Sequence, residues 1–314
     1  MKIRFTLSQS FWISVTTALL ALTISLVTDS FATSDNAYNI FRNASFIALI
    51  ALGQAVVIIG GGIDLSVGSV MALAGVVTGV TLQAGAPLYL GVGAGLGAAL
   101  LAGLTNGLLI AYAKLSPFVV TLGMLSVARS LAIVISGNQM IFEFGPDQEF
   151  FLRWGTFELG GLPAPLMVMT CAALVIGYFL KFSSWGLAVF AIGGNESAAE
   201  RNGLSVPRVK VSGYLISALC AGVAAILSTS WLGSVTNALG NGYELTVVAA
   251  AVIGGVSLQG GSGGVYGAIV GAFLIEVIRN GLLLAGVDPY WQGCFVGVFI
   301  VVAVLLGRLR REEG

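Results

Sequence analysis

Residues able to do chemistry are few in this chain, and their spacing excludes most reactions. No histidine occurs among the 314 residues, which removes the commonest general base and the commonest transition-metal ligand. Cys171, Cys220 and Cys294 each stand alone within an apolar stretch. They make neither a metal-site spacing nor a disulfide framework, and read as small packing hydrophobes. No G-x-x-x-x-G-K-[ST] run is present, so the lysine and hydroxyl with which a P-loop holds nucleotide phosphate and magnesium are missing. The sequence therefore argues against an intramembrane enzyme and implies no cofactor or metal bound by the chain itself.

What remains is a set of polar residues embedded in apolar sequence. In Val57-Ile58-Ile59-Gly60-Gly61-Gly62-Ile63-Asp64-Leu65-Ser66-Val67-Gly68-Ser69, glycines break one apolar helix and Asp64 is placed to cap the next, where a carboxylate suits orphan N–H groups and the positive end of the helix dipole. The run reads either as a structural turn or as a functional break beside a transport path, where irregular backbone is tolerated. Arg129, Glu276 and Arg279 fall inside apolar spans and need partners or a wet cavity. Glu276 and Arg279, three residues apart on one helix face, are expected to pair. Gln54, Asn106, Asn237, Asn241 and Glu244, with Trp231 nearby in sequence, fit either a path for a hydroxyl-rich solute or interhelical hydrogen bonds. Between Lys181 and Lys210, Gly193-Gly194 frees the chain, Asn195 is a good N-cap and Glu196 suits a first turn. Ser197, Ala198 and Ala199 continue a short helix that Gly203 and Pro207 close.

The elements that must position these residues follow from composition. Hydrophobic residues make up 57% of the chain and charged residues 9%, with 44 glycines and a mean hydropathy of +0.98. No water-soluble globular chain of this size sustains that balance; the bilayer is its solvent. The apolar runs, about twenty residues long, are those of spanning helices rather than barrel strands. Ten spans are expected, at 11–28, 43–60, 65–82, 88–112, 117–136, 164–180, 211–232, 244–258, 264–286 and 290–307. With the N-terminus inside, Lys2, Arg4, Lys114, Lys181, Arg201, Arg208, Lys210, Arg308, Arg310 and Arg311 fall on the cytoplasmic side and only Arg42 and Arg153 outside, so both termini are expected in the cytoplasm. The acidic loop around Glu143, Asp147, Glu149 and Glu158 is then external. Residues 11–28 are long enough to span, which disfavours a cleaved signal peptide. Residues 1–314 read as one all-α, polytopic transmembrane bundle, and the net charge of zero gives no reason to expect nucleic acid.

The G-G-I-D-L-S-V-G-S run, with Gly61, Gly62, Asp64, Leu65, Ser66 and Gly68, resembles the signature of permeases in ribose, xylose and arabinose type ABC importers. Four further segments are similar in the same order: Pro117 to Met124 with Arg129; Ala191 to Ala199; Tyr243-Glu244-Leu245 leading to Gly255; and Asn280-Gly281-Leu282 leading to Gly286, Tyr290 and Gln292. Together they cover residues 44 to about 305. Thr246 departs from the pattern, since the family often has an acidic residue there. The resemblance implies a permease subunit, with no enzyme activity of its own, that forms the translocation pathway for a monosaccharide or similar small polyol. It implies a cytoplasmic ABC ATPase that uses ATP and magnesium, a periplasmic sugar-binding protein, a second permease copy or related permease, and location in the bacterial inner membrane. It also makes Gly193 to Ala199 the coupling helix that sits on the ATPase. An ion-coupled secondary transporter using Asp64, Glu276 or Arg129 is the alternative.

Overall fold

Apolar runs rich in alanine and glycine, punctuated by proline and glycine, build twelve helices among the described residues. The structure, a computed structural model, describes residues 9–288 together with Trp291, Gly293, Cys294, Gly297 and Val298. The helices are α1 (Gln9–Val27), α2 (Ser34–Ile59), α3 (Val67–Gln83), α4 (Leu88–Ala111), α5 (Pro117–Ser136), α6 (Gln148–Thr156), α7 (Ala164–Phe182), α8 (Ser184–Gly194), α9 (Glu196–Arg201), α10 (Val206–Leu232), α11 (Tyr243–Ile253) and α12 (Val265–Leu284). Between α6 and α7 a two-residue hairpin pairs β1 (Glu158–Leu159) with β2 (Leu162–Pro163). Seven of the helices are long and apolar enough to cross a membrane.

Local sequence explains several ends. Thr33 caps α2 by accepting from the Asn36 N–H at 3.3 Å, Pro117 opens α5, and Gly137 ends it in the left-handed conformation. The centre is α2, every residue of which from Ala44 to Ile59 is buried, as expected of a helix that is apolar all round. It packs on α10, α12, α11 and α7. Bare backbone permits the approach: a Cβ on Gly53 would lie 2.7 Å from the Ser217 Cα, and one on Gly271 would lie 1.9 Å from the Ala250 carbonyl oxygen.

Nine of the ten expected spans overlap helices, seven of them long and apolar enough to cross a membrane, and the tenth, 290–307, lies almost entirely outside the described residues. Three corrections follow. First, α2 starts at Ser34 rather than near 43, so Arg42 lies within a helix; its guanidinium sits 3.8 Å from the Trp231 ring centroid, where cation–π attraction holds it. Second, α3 and α11 are only 17 and 11 residues long: α3 is at the lower limit for a span and α11 is well below it. Third, α6, the hairpin and α8 were not expected. The α6 helix is pinned to the end of α10, because the Gly155 N–H donates to Ser230 Oγ at 2.7 Å and Phe151 is fully buried.

Candidate functional site

The glycine break ending α2 does not point the chain away from the bundle; it folds it back. The Gly62 N–H donates to the Val57 carbonyl at 2.9 Å. The Gln54 amide, oriented to satisfy both groups, donates to the Asp64 carbonyl at 3.0 Å and accepts from the Asp64 N–H at 3.2 Å. Asp64 is therefore level with Gln54, about 7 Å before the end of α2 at 1.5 Å per residue, and α3 begins there. Asp64 and Ser66 are both buried. The Asp64 carboxylate accepts from the Ser66 N–H at 3.0 Å, from Ser66 Oγ at 2.6 Å and from Ser217 Oγ on α10 at 2.9 Å. The expected cap is thus corrected: Ser66 is the N-cap residue of α3, and Asp64 closes the turn before it. Asn106 on α4 adds a bond to Ser66 Oγ at 3.0 Å. Leu65 is buried beside them. Gln54 and Asn106, which fitted a pathway as well as a bridge, are fully buried bridging groups.

A second interrupted element meets the first. The segment after α10 pairs Val235 with Ile141, descends to Gly240 and starts α11 at Tyr243 inside the bundle. A Cβ on Gly68 would lie 2.3 Å from the Gly240 carbonyl oxygen and 2.5 Å from Glu244 Oε2, so the starts of α3 and α11 touch. Arg129 on α5 holds this segment by donating to the carbonyls of Asn237 and Leu239. Asn237 also donates to Asn138 at 2.8 Å. Asn241 is exposed, and Glu244 is half-buried with Oε2 unpartnered. Short, glycine-interrupted helices in both halves of a transporter commonly mark its working centre.

Glu276 and Arg279 do not form the expected ion pair; the ion pairs among the described residues are Arg153–Glu149 and Lys210–Glu196. Glu276 and Asn280 are buried on α12, and Arg279 Nε has no hydrogen-bond partner among the described residues. Trp231, half-buried, is held against Arg42 and Phe46 and is a packing residue here.

The segment from Lys181 to Lys210 carries two helices, not one. An apolar helix, α8, runs through Gly193 to Gly194, so these glycines end a helix instead of freeing the chain. Asn195 then caps α9, accepting from the Ala198 N–H at 3.0 Å, and Glu196 binds Lys210 of α10 at 2.7 Å. Ser197 is exposed and Ala199 is buried under α9. The Gly193 backbone touches the end of α2: a Cβ there would lie 1.8 Å from the Ile59 carbonyl oxygen and 2.6 Å from the Gly261 nitrogen. The Gly261 N–H itself donates to Ile59 at 2.9 Å. Three backbone segments, 59–61, 193–194 and 260–261, thus meet at one point. Beside it a cleft of ≈ 300 Å³ is lined by Lys114, Ser116, Glu196, Glu200, Pro207 and Lys210. Sequence pointed to this helix; the junction with 260–261 carried no sequence signal beyond glycine itself. Cys220 is buried as expected, while Cys171 lies exposed on α7 along an apolar groove.

Comparison with known proteins gives this arrangement a context. Residues 36–304 match the family described as branched-chain amino acid transport system / permease component. The chain is 34% identical to the ribose import permease protein RbsC of Haemophilus influenzae over 303 residues, covering 96% of this chain and 93% of that protein. It is 36% identical to RbsC of Bacillus subtilis over 290 residues, 92% and 90% of the two chains. It is 33% identical to the L-arabinose transport system permease protein AraH of Escherichia coli over 295 residues, 94% and 89%. No solved structure matches the chain.

Proposed function

The chain belongs to the family of branched-chain amino acid transport system permease components, and on that premise we propose that it is the membrane-spanning subunit of an ABC importer for a monosaccharide or similar small polyol. The observation that carries this reading is the near end-to-end similarity to ribose and arabinose permeases. In this reading the chain is multi-pass in a bacterial inner membrane, completes ten spans with both termini cytoplasmic, and pairs with a second copy or a related permease around a central path.

The α9 end is the cytoplasmic one. Lys114, Lys181, Arg201, Arg208 and Lys210 gather there, against Arg153 on α6 at the other end, which is the bias that orients membrane proteins. A separate ATPase, with its own ATP and magnesium, docks on α9 and the cleft beside it, while a periplasmic sugar-binding protein docks near α6 and the hairpin. Because Gly193 abuts both Ile59 and Gly261, a push on α9 reaches the α2–α3 break and the α11–α12 loop together. Such a push does work only if the ATPase binds one state of the permease more tightly than the other.

The experiment is reconstitution in liposomes with a cognate ABC ATPase and sugar-binding protein. ATP-dependent uptake of a labelled monosaccharide is the expected result. Uptake by the chain alone, driven by an ion gradient without ATP, overturns the reading in favour of secondary transport.

A further inference from the structure

A helix in lipid has no water to satisfy a side-chain hydroxyl, so the hydroxyl normally turns back to the carbonyl one turn earlier. Exposed hydroxyls within the body of other apolar helices do so: Thr16 on α1 bonds Trp12 at 2.9 Å, Thr23 bonds Leu19 at 2.9 Å, Thr105 on α4 bonds Leu101 at 2.8 Å and Thr170 on α7 bonds Leu166 at 2.7 Å. Ser126 and Ser130 on α5 are exposed, and neither has a hydrogen-bond partner among the described residues. Gly123, Ser126 and Ser130 fall on one helix face, by the spacing of three and four residues. A Cβ on Gly123 would meet nothing within 4 Å. Of the buried residues of α5, Thr121, Ala128 and Ala132 lie on the opposite face, and Val120 lies at its edge near the start of the helix.

The strip thus points away from the chain's own core, and its hydroxyls, not turned back onto the helix, are open to a partner outside it. It carries no charge. Arg129, one turn of backbone along, fastens α5 to the 237–239 segment that leads directly to the exposed Asn241 and Gly242 at the start of α11. An open uncharged polar strip is therefore joined to the place where the two interrupted helices meet. We propose that Gly123, Ser126 and Ser130 form a wall of the solute path, offering two hydroxyls and a bare stretch of backbone to a neutral polyhydroxylated solute. This assignment rests on the permease reading above.

The test is cysteine accessibility in the assembled transporter in native membranes, with Cys171, Cys220 and Cys294 replaced by alanine. Ser126→Cys and Ser130→Cys should react with a membrane-impermeant, water-soluble thiosulfonate at least about tenfold faster than Leu174→Cys, on the exposed apolar face of α7. The reaction needs no sugar import, so its failure is distinct from failure of the importer reading. In parallel, the Ser126→Ala/Ser130→Ala double variant should lower the maximal uptake rate at unchanged membrane abundance, while Ser126→Thr and Ser130→Thr retain it. Labelling no faster than at Leu174, or ready disulfide formation between two copies without labelling, overturns the assignment and makes the strip a lipid face or a subunit contact. Unchanged uptake in the double alanine variant also overturns it.

Discussion

Replacing Asp64 separates two things that a buried carboxylate supplies, an acceptor and a charge. Its three bonds all come from donors: the Ser66 N–H, Ser66 Oγ and Ser217 Oγ. Asp64→Ala removes every acceptor, and hydrogen bonds to a charged group are worth roughly 1.5–3 kcal/mol each. Part of that sum is offset, because the charge itself is expensive to bury, and the net loss is about 3–5 kcal/mol, since each stranded buried donor costs about 1–3 kcal/mol. Asp64→Asn behaves differently. One oxygen remains for both Ser66 donors, and the new amide donates to Ser217 Oγ, which is free to accept, so the cost is about 1–2 kcal/mol, within the range of one neutral bond. Thermal unfolding of detergent-purified protein, followed by fluorescence-detected size exclusion, should rank wild type, Asn and Ala in that order, with Ala poorly inserted or aggregated. If Asn is as damaging as Ala, the charge rather than the acceptor geometry holds the break, and the reasoning fails.

Gly193→Ala should cost about 1–3 kcal/mol of stability, as overpacking does, and abolish sugar-stimulated ATP hydrolysis, since its Cβ meets the Ile59 carbonyl oxygen at 1.8 Å. Gly194→Ala should leave the isolated permease untouched, because a Cβ there meets nothing within 4 Å; comparing abundance and ATPase rates of the two variants checks both statements. Reporter fusions should place a tag after Asn202 in the cytoplasm and a tag after Gly160 outside, and the reverse result would invert the assigned topology.

Much of the architecture was legible because apolar run length and charge asymmetry are set residue by residue. The spans at 88–112, 117–136 and 164–180 correspond to α4, α5 and α7 within two residues. The α9 helix was legible for the same reason, with a local cap at Asn195 and a local stop at Gly203. The breaks were visible as glycine runs, but not their direction. Folding the 60–66 segment back along α2 depends on Gln54, Ser217 and Asn106, which lie 10, 153 and 42 positions from Asp64, and long-range partners leave no periodic trace. The Glu276–Arg279 pairing was less legible: helix spacing puts the two on one face, but the ion pairs among the described residues do not include it.

The buried ionisable groups also bear on the driving force. A secondary transporter needs a group that exchanges its ion with water on each side in turn. Asp64, the strongest sequence candidate, is 2% exposed, with both carboxylate oxygens already taken by hydroxyl and amide donors. Arg129 is committed to two backbone carbonyls and Arg42 to an indole face. Glu276 is buried against α2. Each of these groups does structural work at a joint: Asp64 at the α2–α3 break, Arg129 at the entry to α11, and Glu276 between α2 and α12. Glu244 differs, keeping part of its surface open beside Gly68, and it sits where α3 and α11 touch. In the proposed reading, movement at that contact rather than loading of a sealed carboxylate is the change to be driven, with an ATPase on α9 acting through the backbone junction where Gly193 meets Gly61 and Gly260.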